Sequence, residues 1–179
     1  MNTRTHGIDV LLVIDAAHIK NVYGPNQEPA HPVRVAPDCL FMICAGSRGI
    51  ACTQDAEEPG IRAKAGDSVF LRGTSMQGNA DDAVILYKVR PASGGCVFER
   101  FKANAFLRAY TVRPDPDSPD HNGLPALKSE ASFLSFESKV KALGNEVLEM
   151  TFALYAFNAT RTRQEPYGYY SCNRIVTIC

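Results

Sequence analysis

The side chains able to do chemistry fall into four groups. In the first, Ser47 sits in Ala45-Gly46-Ser47-Arg48-Gly49 after an apolar run, with Asp115 or Asp117 and then His121 following in the order an α/β-hydrolase uses. A serine nucleophile needs an adjacent base and an oxyanion hole at a helix N-terminus. The residues after Ser47 (RGIACTQDAEEPG) carry no amphipathic pattern to supply one, and the chain lacks strand–helix alternation. Ser47 and Gly49 therefore read as a β-turn, and no catalytic residue is assigned.

The second group is Asp115-x-Asp117-x-x-Asp120 followed by Asn122-Gly123. Calcium takes about six to eight oxygens, with a bidentate Glu closing an EF-hand loop. Pro116 and Pro119 disturb the backbone here and no such Glu follows, so the expectation is an acidic solvated loop with Asx turns. A calcium site shared with Asp81 and Asp82 is the alternative. The third group, Asn79, Asp81 and Asp82, lies in a polar loop between Gly73 and Asp82, where Gly73 and Gly78 let the backbone turn. Either these side chains pin the loop through hydrogen bonds to backbone, or they hold a ligand.

The fourth group is Tyr155, Phe157, Tyr167, Tyr169 and Tyr170. Tyrosines two apart share a strand face, so Tyr167 and Tyr169 could stack on a sugar or another flat ligand, and cross-strand packing is the plainer reading. Metal ligands do not cluster. His6, His18, His31 and His121 are scattered, and Cys39, Cys44, Cys52, Cys96, Cys172 and Cys179 form no C-x-x-C pair. Reduced thiols packed as small hydrophobes are expected, with no metal and no cofactor.

These groups hang on a chain that reads as strands. Ile8–Asp15 is a continuous β-branched run, expected to be central and buried on both faces, and Ala16–Val22 could add a helical turn. Gly24–Pro37 carries four prolines, so it must be a long irregular excursion. Asp38–Ala45, Ile61–Ala65, the two strands around the Gly73–Asp82 loop, Cys96–Val112, Ser129–Ser138, Glu146–Phe157 and Tyr167–Ile178 follow, with a second proline-rich loop at Arg113–Pro125. The expectation is all-β: one domain over residues 1–179, an antiparallel β-sandwich of about nine strands, Greek-key-like, with little helix.

Lys+Arg and Asp+Glu are both 19, leaving no net charge. Binding to phosphate backbones or acidic membranes needs a basic excess, so neither nucleic acid nor membrane is expected as a partner. A neutral protein has little repulsion between copies, which favours homo-oligomers. The apolar run Val10–Ile14 is too short for a signal peptide or a span, and a cytoplasmic location is expected.

Several stretches together resemble one family, the AidA/PixA-type bacterial inclusion-body proteins. They are IDVLLVID followed by HIKNVYGPNQ, then FMICAGSRG, AGDSVFLRGTSMQGNADDAVILY, HNGLP, SFLSFESK, FALYAF and the closing YGYY. The resemblance implies a small cytoplasmic all-β protein, associated with quorum sensing or stationary phase and prone to self-association, with no catalytic residues. A carbohydrate-binding, lectin-like role is the alternative it leaves open. The chain departs from the family at Cys172-Asn173-Arg174, where members carry an aromatic followed by Asp-Pro.

Overall fold

The computed structural model describes residues 7–45, 50–51, 60–93 and 95–179. His6, Ser47 and Cys52 lie outside the described residues, so the Ser47–His121 arrangement has no geometry to report. In chain order the elements begin with β1 (Gly7–Ile14), α1 (Ala16–Tyr23), β2 (Val33–Arg34), β3 (Leu40–Ala45), β4 (Ile50–Ala51) and β5 (Gly60–Ile61). They continue with β6 (Ser68–Ser75), β7 (Ala83–Pro91), β8 (Lys102–Arg113), β9 (Leu127–Lys139), β10 (Gly144–Phe157) and β11 (Gln164–Ile178).

Two mixed sheets form a sandwich, not a closed barrel. The first runs β3-β1-β6-β9-β8, and the second runs β4-β5-β11-β10-β7 with β2 added beside β11. Ten strands thus lie on the two sheet paths, one more than expected: β4 is only two residues long and leaves no periodic trace, and the strand expected at Ile61–Ala65 is the two-residue β5. The all-antiparallel expectation also fails: β1 pairs parallel with β6, and β11 pairs parallel with both β2 and β5. Side-chain alternation is the same in both kinds of ladder, so the pattern that reveals a strand does not reveal its direction.

β1 shows how the sheets meet. Ile8, Val10, Leu12 and Ile14 are buried, but Leu11 is 38% exposed, since only one face of the first sheet is covered. Across the interface stand Leu148, Met150, Phe152 and Leu154 of β10 and Tyr170 of β11, with the Phe152 and Tyr170 rings stacked at 5.9 Å. Burial pushes the Tyr170 hydroxyl up to about 12, with Tyr167 adding a smaller effect. Asp15 caps α1 by accepting from the His18 N–H at 2.9 Å, and Ala16 and Ile19 point into the same core.

The proline-rich excursion is laid along β11. Asn26 bridges Gly168, Val33 and Arg34 pair with Tyr170 and Ser171, and the Asn26 side-chain amide donates to the carbonyls of His31 and Tyr169. Its irregular backbone is thereby satisfied against an edge that would otherwise be open.

The expected strand at Cys96–Val112 starts only at Lys102. Val97, Phe98 and Phe101 are buried, and the buried carboxylate of Glu146 accepts from the Cys96 and Phe98 N–H groups at 2.9 and 3.0 Å, turning the chain into the core. Beyond this point the first sheet opens. β6 pairs with β9 only over Ser68–Leu71; Leu134 and Ser135 still pack against the body, and β9 before them leaves it with β8 as a two-stranded ribbon. β8 is exposed along nearly its whole length.

Candidate functional site

β6 and β7 carry the chain into and out of the Gly73–Asp82 loop. At Gly73 the two strands pass close together: a Cβ there would stand 3.1 Å from the Leu86 Cβ. Asn79 knots the loop. Its carboxamide oxygen accepts from the backbone N–H of Ser75 at 2.9 Å and of Val84 at 3.0 Å, its own N–H donates to Ser75 Oγ at 2.9 Å, and its Nδ2 donates to the Val84 carbonyl at 3.3 Å. With φ at 66° it adopts the left-handed conformation that Asn tolerates better than most residues. Asn79 is therefore spent on the loop itself.

The two aspartates turn away from that knot, and each meets a cation. Asp82, 5% exposed, accepts from Lys20 Nζ of α1 at 2.7 Å, and the exposed Asp81 accepts from Arg161 Nη2 at 3.1 Å. The Arg161 guanidinium also lies over the Phe157 ring, 5.3 Å from its centre. Gln164 fastens the loop from the other side, its Nε2 donating to the carbonyls of Asn79, Ala80 and Asp81. Between these groups lies an open cavity of about 270 Å³. Lys20, Gln77, Asp81, Asp82, Phe157 and Arg161 are among its lining residues. Alternating carboxylates and cations around an aromatic face suit a neutral ligand with several hydroxyls better than a bare ion, because the charges are already matched.

Lys20, Gln77, Phe157, Arg161 and Gln164 were missing from the sequence-derived site. Lys20, Arg161 and Gln164 stand on segments far in sequence from the loop, and nothing in their local pattern marks the pairing; Gln77 is in the loop itself, and Phe157 belongs to the aromatic group.

The tyrosines have different neighbours. A bulge between Leu154 and Tyr155 leaves Tyr167 opposite no partner on β10. Its ring packs on the core and its hydroxyl donates to the Lys20 carbonyl at 3.3 Å. Tyr169 instead meets Tyr87 edge to face at 6.1 Å.

The Arg113–Pro125 loop closes on itself at the far end of the ribbon. Asp115 N–H donates to the Gly123 carbonyl, the Asp115 side chain accepts from the Asp117 N–H at 2.9 Å, and the buried Ser118 hydroxyl accepts from the Gly123 N–H at 2.8 Å. Neither Asp81 nor Asp82 takes part in these bonds. The Asx turns are as expected.

Among the described residues one trio, His18, Asp38 and Cys39, has its ligand atoms within 4.8 Å of one another. Burial and the Asp38 carboxylate raise the pKa of the Cys39 thiol, and its Sγ donates to Asp38 Oδ1 at 3.7 Å. A thiol that holds its proton this way makes a poor metal ligand. Cys172, also buried, is pushed up to about 11 by desolvation. Cys39, Cys44, Cys96, Cys172 and Cys179 are free.

No helix among the described residues is long and apolar enough to cross a membrane. No curated protein matches the chain. A solved relative is the crystal structure of an inclusion body protein (PixA) from Burkholderia cenocepacia J2315, 29% identical, with a TM-score of 0.80. The match covers 100% of this chain and 99% of that one. Residues 6–178 match the family described as PixA, inclusion body protein. The chain belongs to the PixA inclusion body protein family.

Proposed function

We propose that this is a non-enzymatic accessory protein of the bacterial cytoplasm that acts by self-association, in density-dependent or stationary-phase physiology. One observation carries the reading. The β8–β9 ribbon presents Leu107, Tyr110 and Val112 at 58%, 83% and 70% exposure, apolar side chains with no place in the core. The absence of net charge removes the repulsion that would keep copies apart. Sedimentation velocity from about 1 to about 100 µM reads the outcome directly, since association depends on concentration. A rising sedimentation coefficient is expected; a monomer throughout the range would end the proposal.

The cavity beside Asp81 and Asp82 supports a second reading, a lectin-like module for a neutral glycan. Asn79 would then shape the site, Asp81 and Asp82 would accept from sugar hydroxyls, and Tyr169 or Tyr167 would contribute only if the ligand extended along β11. A glycan array run with and without EDTA separates the cases. Silence in both conditions removes the idea, and EDTA-sensitive binding would point to calcium.

A further inference from the structure

From the geometry of the ribbon we infer which surface joins two copies: the outer edge of β8, paired antiparallel with the same edge of a second chain. This rests on the self-association proposed above and gives it an address.

β8 ends its sheet, so no described strand pairs with its outer edge. Such an edge is a row of unpaired N–H and C=O groups, and proteins usually blunt it with proline, charge or brevity. Here the guard is thin. Twelve residues contain no proline, and between Lys102 and Arg113 the only charge is Arg108. The bulge at Ala109–Tyr110, opposite Glu130, bends the edge at its midpoint and leaves two straight arms.

Charge selects the occupant. At the root of the ribbon stand the exposed Arg100 and Lys102 with Glu99; at its tip stand Asp115, Asp117 and Asp120 with Arg113, so the root is basic and the tip acidic in balance. None of the seven forms an ion pair among the described residues. Lys102 faces Glu137 across the ribbon without closing a bridge to it. An antiparallel two-fold pairing lays the tip of one ribbon beside the root of the other, and does so twice, as closed two-fold symmetry requires. One register sets Asp115 opposite Lys102 of the second copy, carries Asp117 towards Arg100, and places Leu107 opposite Tyr110. The exposed apolar residues then cover one another, and the acidic tip and basic root neutralise in pairs. A parallel arrangement would instead stack like charges at both ends.

The test is sedimentation velocity on the full chain with K102E, D115K and the double variant, with circular dichroism to confirm that each folds. Lys102 is exposed, whereas Asp115 is half-buried and accepts from the Asp117 N–H, so D115N, which keeps an acceptor for that turn and drops the charge, is run beside D115K and is likewise expected to weaken association. Each single reversal is expected to weaken association by about tenfold or more, and the double to restore it to within about threefold, the signature of a direct pair. If the native chain associates and neither reversal changes it, the β8 edge is not the interface while self-association stands. A native chain that stays monomeric overturns both.

Discussion

Two parts of this molecule are built to one plan and end in opposite places. The stretch from β6 to β7 and the stretch from β8 to β9 are each a pair of strands joined by a loop rich in Gly, Asn and Asp. In the first, Val69, Leu71, Val84 and Leu86 enter the core, and the loop is tied to α1 by Lys20, to the β10–β11 connection by Arg161 and to β11 by Gln164. In the second, most of the ribbon clears the body, and the bonds of its loop are its own. Loop chemistry does not decide whether two joined strands become scaffold or arm; β6 and β7 are divided between the two sheets, whereas β8 and β9 pair with each other.

Replacing matched leucines should widen that contrast most. Leu86→Ala removes a fully packed side chain and should destabilise by about 2–5 kcal/mol in urea unfolding, whereas Leu107→Ala should stay within about 0.5 kcal/mol. Equal losses would mean that the ribbon contributes to monomer stability, contrary to its exposure. Next come the loop asparagines. Asn79→Ala strips several hydrogen bonds from a part-buried knot and should cost about 1–3 kcal/mol, while Asn122→Ala loses one exposed bond and should cost less than about 1 kcal/mol.

Alkali should act on the body and spare the ribbon. Cys172 moves from 9.0 to about 11 and Tyr170 from 10.0 to about 12 on folding. Both hold their protons longer when folded, so the stabilisation is complete below pH 9 and drains away as pH rises through these windows. A loss on the order of 1–3 kcal/mol by pH 11 is expected from thermal melts. Cys172→Ala should flatten the part between pH 9 and 11, and an unchanged profile would show that the thiol does not govern it. The smallest effect belongs to Tyr110→Ser, which should shift monomer stability by less than about 0.5 kcal/mol yet reduce association.

The sequence made β6, β7 and β10 readable through alternation against a dry face, and β1 through its continuous apolar run, although only one face of β1 is buried and not the two expected. It also marked Asn79 as a loop residue, since Gly78-Asn79 can take positive φ and an amide can bond backbone on both sides. What it hid follows from tertiary choice. Parallel and antiparallel partners demand the same pattern, two-residue strands carry no period, and the start of β8 depends on Glu146 reaching across the fold to Cys96 and Phe98. The candidate cavity was half visible. Its aspartates stood out in one loop, but Lys20 and Arg161 are ordinary surface cations until the fold brings them there.

The parallel seams on β11 have a consequence for the order in which the protein can be made. Asn26 is bound to Tyr169, 143 residues later in the chain, and Gly60 and Ile61 wait for Thr177 and Ile178. A ribosome releases the early segments long before their partners exist. The proline-rich excursion must therefore stay solvated, and the second sheet open, until β11 emerges. During synthesis β10 and the inner face of the first sheet are exposed together. The second sheet can therefore close only once the last residues of the chain have been made.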